Sequence, residues 1–376
     1  MMTNQAVILA GGKGTRLGKL ARHCPKPLLP IGEVPFIEYL IGELARHGLS
    51  RMVLLVGPFR DQFMEVLGDG SRFGVSINFV SEPEPAGTAG ALSHAVDLLE
   101  ESFLFLNGDS FFSFNFLFLS HMAEQQGCIA AMALRVVDDV SRYGSVKMEG
   151  ERVMEFTEKR QGAGPGCINA GVYYLSSEVL DLIDHIPMSL EQDVLPKLAR
   201  EGRLCGRAYD VPFIDIGVPD DFERAQTLLP QWQHRAAMFI DADCLATSGG
   251  GGTATTGWRQ LGEEILSCNE RGDYVICLAG QLTGQAPIDF LSGLNKMLSP
   301  LCAHVDALFH DFSTHDNMTI MGCPRTYCGT LEDALRLWPI DTERSILMSA
   351  NDEYITIAKM NGIQCVHSNT VAICRK

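Results

Sequence analysis

Positive charge is scarce in this sequence. Lys and Arg number 30 against 46 Asp and Glu in 376 residues, a formal net charge of -16. A polyanion would be repelled before any local contact formed, so nucleic acid and anionic membrane are excluded as general partners. Paired cysteines are absent too. The 12 Cys fall at no CxxC spacing, which excludes a zinc ribbon and a disulfide framework and leaves reduced, mostly buried thiols. No apolar run is clean enough to span a bilayer: the most apolar stretch, 102–119, carries Asn107, Asp109, Ser110, Ser113 and Asn115, whose unpaired burial in lipid would cost several kcal/mol. The start MMTNQAVILAGG has no basic region before an apolar stretch and no small-residue cleavage site, so a cytoplasmic protein is expected. There is no repeat of fixed period, and low complexity is confined to the Gly run 249–252, read as a flexible loop.

What is present is an ordinary globular composition, 46% hydrophobic and 20% charged, in a chain long enough for two domains. Short β-rich runs alternate with helical patterns: 5–10 then 36–47, 51–57 then 60–67, 75–80 then 88–99, 103–106 then 115–126. That rhythm predicts a parallel sheet with helices on both faces and ligands at the carboxyl ends of its strands. After Cys128 closely spaced strand-like runs follow (129–136, 144–148, 153–157, 168–175), as for a substrate-binding extension, and helical patterns return at 177–183, 190–200 and 222–229. A short polar segment, 230–235, precedes a second alternating series. Its strands are expected at 236–240, 274–279, 305–309, 345–348 and 364–367, and its helices at 288–298, 331–338 and 353–361. The domains are therefore placed at 1–230 and 236–376.

The first strand runs directly into Gly11-Gly12-Lys13-Gly14-Thr15-Arg16-Leu17. Glycines after a strand let backbone N–H groups approach a phosphate without a Cβ in the way. Lys13, Arg16 and Lys26 concentrate positive charge there in an otherwise acidic chain, and a triphosphate is the ligand that needs this most. The turn is neither a GxGxxG nor a Walker loop, so dehydrogenase and P-loop ATPase readings lose.

With LAGGKGTRL and the downstream PKPLLPI, the chain resembles the sugar-phosphate nucleotidyltransferase family. The resemblance implies that Ala10, Gly11, Gly12, Lys13, Gly14 and Thr15 hold the nucleotide while Arg16 and Lys26 stabilise the transferring α-phosphate. The segment 82–90, EPEPAGTAG, resembles the family's EPEPLGTAG, with Ala86 for the usual Leu, and implies Glu82, Gly87 and Thr88 beside the base. Leu106-Asn107-Gly108-Asp109-Ser110 looks like the metal-binding GD motif. Phe156-Thr157-Glu158-Lys159 and Asn169-Ala170-Gly171 resemble the FxEK and NAG segments, implying sugar-phosphate contacts from Glu158, Lys159 and Asn169, with Gly108, Tyr143 and Gly144 in the same subsite. Ile214-Asp215-Ile216-Gly217 resembles the closing DIG motif and makes Asp215 the second metal carboxylate. Two such carboxylates can hold one Mg²⁺ that bridges substrate phosphates. A sugar 1-phosphate is already ionised at about pH 7 and needs no general base; positioning and charge neutralisation carry the reaction.

In the second half, Phe239-Ile240-Asp241-Ala242-Asp243-Cys244 resembles the FLDRDGV opening of the small heptose bisphosphate phosphatases of the haloacid-dehalogenase type. Leu278-Ala279-Gly280-Gln281, Cys323-Pro324-Arg325-Thr326-Tyr327-Cys328-Gly329 and Met348-Ser349-Ala350-Asn351-Asp352 stand where TNQ, CRKPKPG and VGD are expected. A DxD without its cation and third carboxylate would struggle to bind Mg²⁺. Asp241 and Asp243 are thus read as vestigial, with Asp352 open as a slipped metal ligand and dimerisation, stability or regulation as uses left for the domain; a homo-oligomer stays open. The fold expected is α/β throughout: a Rossmann-like mixed sheet in three α/β/α layers, then a smaller α/β haloacid-dehalogenase-like domain. The function expected is Mg²⁺-dependent nucleotidyl transfer from an NTP, by family association GTP, to a sugar 1-phosphate, by the same association D-glycero-D-manno-heptose 1-phosphate. The same reaction with another sugar 1-phosphate or NTP, a sugar-bisphosphate phosphatase and a nucleotide-sugar sensor are the rivals.

Overall fold

The computed structural model describes residues 3–12, 17–18, 24–82, 85–138, 140, 145–157, 164–247, 254–280, 286–310 and 325–366. Lys13, Gly14, Thr15, Arg16, Tyr143, Gly144, Glu158, Lys159, Gln281, Cys323, Pro324 and the Gly run 249–252 lie outside them. The chain divides into two compact units, Met1–Leu229 and Pro230–Lys376.

The first unit is built on a nine-stranded mixed sheet. Its order is Ser76–Val80, Arg51–Leu55, Gln5–Leu9, Ser102–Asn107, Gly166–Ser176, Ala130–Val137, Leu204–Tyr209, Arg152–Thr157, Ser145–Glu149. The first four are mutually parallel. Gly166–Ser176 runs antiparallel to both neighbours. Alternation along Gln5–Leu9 sends Ala6 and Ile8 to one face and Val7 to the other, and each face has its own core. Helix Phe36–Arg46 covers the first face with Ile37, Leu40, Ile41 and Leu44, spaced to lie on one stripe. Helices Gly87–Ser93 and Leu195–Arg200 cover the second with Ala89, Leu92, Leu195 and Leu198. The unit is a three-layer α/β/α arrangement. Gln5–Leu9 pairs with Arg51–Leu55 on one side and Ser102–Asn107 on the other, which opens a crevice at their carboxyl ends.

The strand-rich stretch after Cys128 extends the core sheet itself. Its strands continue the same sheet, because Gly166–Ser176 takes up the edge groups of Ser102–Asn107 that would otherwise be left unpaired. The helix expected over 88–99 ends at Ser93 and gives way to a 3-10 turn, Val96–Leu98. Val96 and Leu98 are exposed, so no apolar face remains to support another α-turn. The helix expected over 222–229 is longer, Pro219–Gln233, and ends inside the polar segment 230–235.

The second unit holds six parallel strands in the order Thr326–Cys328, Ala307–His310, Tyr274–Ala279, Ala237–Asp241, Ile346–Met348, Gln364–Val366. Met238 and Ile240 pack on Leu261, Ile265 and Leu294; Ala237 and Phe239 pack on Leu331, Tyr354 and Ile357 on the other face. Helix Ala254–Arg271 was not anticipated. Among the described residues, no helix is long and apolar enough to cross a membrane.

Candidate active site

The crevice at the carboxyl ends of Gln5–Leu9 and Ser102–Asn107 is a cleft of ≈ 210 Å³ lined by Leu9, Ala10, Gly12, Lys26, Pro27, Asn107 and Asp109. Ala10 N donates to Leu55 O at 2.8 Å and Gly108 N to Leu9 O at 2.9 Å, which holds the two strand ends in place. The two described glycines of the turn have different reasons to be glycine. A Cβ on Gly11 would come within 2.8 Å of Gly57 N, so packing against the neighbouring strand end requires it. Gly12 meets nothing within 4 Å and faces open space in the cleft.

Lys26 opens the 3-10 turn Lys26–Leu28 and its Nζ lies 2.9 Å from Asp109 Oδ2. Asp109 lies two residues past strand Ser102–Asn107 and immediately before a two-stranded antiparallel ribbon in which Ser110–Phe112 pairs with Phe213–Asp215. That ribbon brings Asp215 opposite Ser110, and Ile216 N donates to Asp109 O at 2.9 Å. Gly217 N donates to Asp215 Oδ1 at 2.6 Å. Burial first, and the neighbouring Asp109 carboxylate second, push the Asp215 carboxyl up to about 6, against the pull of the Gly217 N–H and Lys26. Two carboxylates and one ammonium thus converge at the mouth of the cleft. Among the described residues no third His, Cys, Asp or Glu joins the pair.

Glu82, Gly87, Thr88 and Asn169 are not part of this cleft lining. Glu82 follows strand Ser76–Val80; its carboxylate accepts from Ala86 N at 3.4 Å, and burial pushes its pKa up against the Ala86 N–H and His94. Gly87 and Thr88 open helix Gly87–Ser93. Thr88 Oγ1 donates to Glu191 Oε2 at 2.6 Å, a partner the sequence reading missed. Glu191 lies two residues after the capping Ser189, and an acid in a helix's first turn looks like ordinary capping. Asn169 lies on strand Gly166–Ser176, its Nδ2 donating to Tyr173 OH at 2.5 Å.

In the second unit Asp241 ends the central strand and is buried, while Asp243 is exposed on the following helix, Ala242–Thr247. Both Asp241 oxygens are engaged: Oδ2 accepts from Ser349 Oγ at 2.5 Å and Oδ1 from Asp243 N at 3.1 Å. Asn351 N donates to Ser349 Oγ at 2.9 Å. Ser349 is a further residue that the sequence reading did not single out as a partner.

A family model described as Nucleotidyl transferase matches residues 5–231. The chain is 34% identical over 233 residues to D-glycero-alpha-D-manno-heptose 1-phosphate guanylyltransferase of Aneurinibacillus thermoaerophilus, covering 61% of this chain and 99% of that one. It is 33% identical over 250 residues to mannose-1-phosphate guanylyltransferase catalytic subunit beta of Xenopus tropicalis, covering 63% and 69%. Among solved structures, HddC from Yersinia pseudotuberculosis aligns with a TM-score of 0.53 at 32% identity, covering 60% of this chain and 98% of that one. HddC complexed with GMP-PN aligns with a TM-score of 0.52.

Proposed function

This chain belongs to the nucleotidyl transferase family, and from that premise we propose that it transfers a guanylyl group from GTP to D-glycero-D-manno-heptose 1-phosphate, releasing pyrophosphate. It is a nucleotidyltransferase, and sugar-phosphate guanylyl transfer is the activity named for its relatives. The observation that carries the reading is the meeting of Lys26, Asp109 and Asp215 at the mouth of a cleft walled by Ala10, Gly12 and Asn107. An acid pair and a cation at the end of a phosphate-turn strand suit in-line displacement at an α-phosphorus.

In this reading the turn 10–15, with Lys13 and Arg16, receives the triphosphate, and Glu82, Gly87 and Thr88 lie toward the base. Asn169, Gly108, Tyr143, Gly144, Glu158 and Lys159 receive the sugar phosphate. An oxygen of that phosphate forms the new bond to the α-phosphorus as the α–β anhydride bond breaks, and the leaving pyrophosphate takes the electron pair. Lys26 offsets the charge gathering on the α-phosphate oxygens. Asp109 and Asp215 would hold Mg²⁺, which supplies charge neutralisation at the phosphates when bound. The donor set fits that ion. Both are hard oxygen ligands, the burial and, after it, the Asp109 repulsion that raise Asp215 are what a divalent cation offsets, and two protein carboxylates leave room for phosphate oxygens and water.

The relatives that act on mannose 1-phosphate favour a second acceptor reading. Pyrophosphate release with Mg²⁺ tests both, across GTP, ATP, CTP and UTP, each paired with mannose 1-phosphate, D-glycero-D-manno-heptose 1-phosphate and other sugar 1-phosphates. GTP with the heptose phosphate is expected to turn over fastest. Turnover confined to another nucleotide overturns the guanylyl assignment, and none with any pair returns the molecule to the sensor reading.

The second unit is read as a degenerate haloacid-dehalogenase-type phosphatase. Supporting this are the parallel sheet with Asp241 at the end of its central strand and the Ser349 hydroxyl occupying the Asp241 carboxylate. A heptose bisphosphate should release no inorganic phosphate; release that disappears in Asp241→Asn would show a live phosphatase.

A further inference from the structure

A line of hydrogen bonds joins the helix that opens at Gly87 to the strand that carries Asn169. Thr88 Oγ1 donates to Glu191 Oε2 at 2.6 Å and accepts from Leu190 N at 2.7 Å. Ser189 Oγ donates to the same Oε2 at 3.1 Å. The other carboxylate oxygen, Oε1, accepts from Tyr173 OH at 3.3 Å. Tyr173 OH in turn accepts from Asn169 Nδ2 at 2.5 Å, and Asn169 Oδ1 accepts from Gly171 N at 3.0 Å. The backbone fastens the start of the helix to the segment that carries Glu191: Met188 O accepts from Ala89 N and Gly90 N at 3.0 and 3.1 Å, and Met188 N donates to Ala86 O at 2.9 Å.

Asn169 needs this support because its strand is irregular where it lies. Between Asn169 and Tyr173 the register against Ala130–Val137 shifts. Gly171 adopts φ +73°, and a Cβ there would come within 2.5 Å of Asn107 Nδ2. Asn107 lines the cleft beside Lys26 and Asp109. The bulge therefore leans on the cleft wall, and the Asn169 amide is oriented by Tyr173 and Gly171 rather than by a regular ladder. Each of its two polar atoms has capacity for one more hydrogen bond. Glu191 accepts from three side-chain hydroxyls at once, and hydrogen bonds to an ionised acceptor are the stronger kind.

We propose that Glu191 is a positioning residue that fixes the Asn169 amide through Tyr173 and, through Thr88, ties that fixing to the nucleotide-side segment, so that the two substrates bind synergistically. This rests on the reading of Asn169 as a sugar contact and of 82–88 as the nucleotide side. A nucleotide that orders Thr88 improves the placement of Asn169, and by reciprocity the sugar phosphate improves nucleotide binding.

The test uses the full chain and the best substrate pair of the panel above, comparing wild type with Tyr173→Phe and Glu191→Gln. Initial rates over a grid of both substrate concentrations give kcat, each KM, and how the sugar-phosphate KM depends on GTP. Wild type should show a sugar-phosphate KM that falls as GTP rises. Tyr173→Phe, which removes one hydroxyl from a buried ring, should raise that KM about tenfold, the value of one lost buried hydrogen bond. Its kcat should stay within about threefold, and the GTP dependence should vanish. Glu191→Gln should do the same or more; if it does not fold, Tyr173→Phe decides alone. A wild-type sugar-phosphate KM independent of GTP overturns the coupling. Turnover in which neither variant moves the sugar-phosphate KM overturns the proposal while leaving guanylyl transfer standing. A parallel loss of kcat, both KM values and melting temperature in both variants would assign Glu191 a packing role instead. Absence of wild-type turnover defeats the guanylyl-transfer reading and this inference with it.

Discussion

Replacing Asp215 by Asn should disable the enzyme and at the same time make its metal-free first unit more stable. The Asp215 carboxyl is held at about 6, against an ordinary 3.8, mainly by burial and then by Asp109. The folded state therefore binds more protons than the unfolded chain between those values, and stability falls as pH rises through that window. At about pH 8 the full penalty applies, and the displacement corresponds to about 3 kcal/mol. Asn keeps an oxygen for the Gly217 N–H, which now donates at 2.6 Å, so roughly 2 kcal/mol should be recovered. For a unit of this size that is a rise in Tm of about 4–8 °C. The three tryptophans, Trp232, Trp258 and Trp338, all lie in the second unit. Their fluorescence should report an unmoved transition, while calorimetry or far-UV circular dichroism follows the first unit. At about pH 4 the difference between wild type and variant should shrink toward zero, and added Mg²⁺ at about pH 8 should stabilise the wild type alone. A variant less stable than wild type at about pH 8 without metal, or a difference unchanged between about pH 4 and 8, would refute the electrostatic account.

Three other outcomes follow from particular contacts. Lys26→Met removes the ammonium 2.9 Å from Asp109, and pyrophosphate release should fall about 10²- to 10³-fold, as when one charge-stabilising donor is lost; a drop below about threefold would take Lys26 out of the chemistry. Ser349→Ala leaves the buried Asp241 carboxylate without its hydroxyl donor, which should cost the second unit about 1–3 kcal/mol, seen as a lower tryptophan-monitored Tm with the nucleotidyl transfer rate unchanged. Gly11→Ala drives a Cβ to within 2.8 Å of Gly57 N and should lower the first-unit Tm as well as activity, whereas Gly12→Ala, with open space around it, should change activity far more than Tm.

Much of the strand and helix series was legible where an apolar period ran for two or more turns or a whole strand. Helix Arg60–Leu67 and strand Tyr274–Ala279 fall at the expected residues, and helix Phe36–Arg46 differs by one residue at its end. Short pairings were not legible. Phe213–Asp215 is three residues long and its partner Ser110–Phe112 lies far upstream, so no local period announces either. Helix Ala254–Arg271 carries a buried stripe of Leu261, Ile265 and Cys268, but its polar composition and the Gly run ahead of it hid that spacing. At the site, Lys26, Asp109 and Asp215 could be named from motifs, and their convergence is a product of the ribbon. Glu191 could not be named, because its partners Thr88 and Tyr173 are distant in sequence and an acid beside a capping serine has a sufficient local explanation.

The ribbon of Ser110–Phe112 with Phe213–Asp215 also sets the order in which the site can come into being. Asp109 and Lys26 leave the ribosome in the first third of the chain, and the early parallel strands can pair while the rest is still being made. Asp215 arrives only with the last strand of the first unit. Before Asp215 is made, the repulsion between the two acids that burdens the finished site cannot arise. The electrostatically costly arrangement is thus assembled last, onto a sheet already in place to bear it.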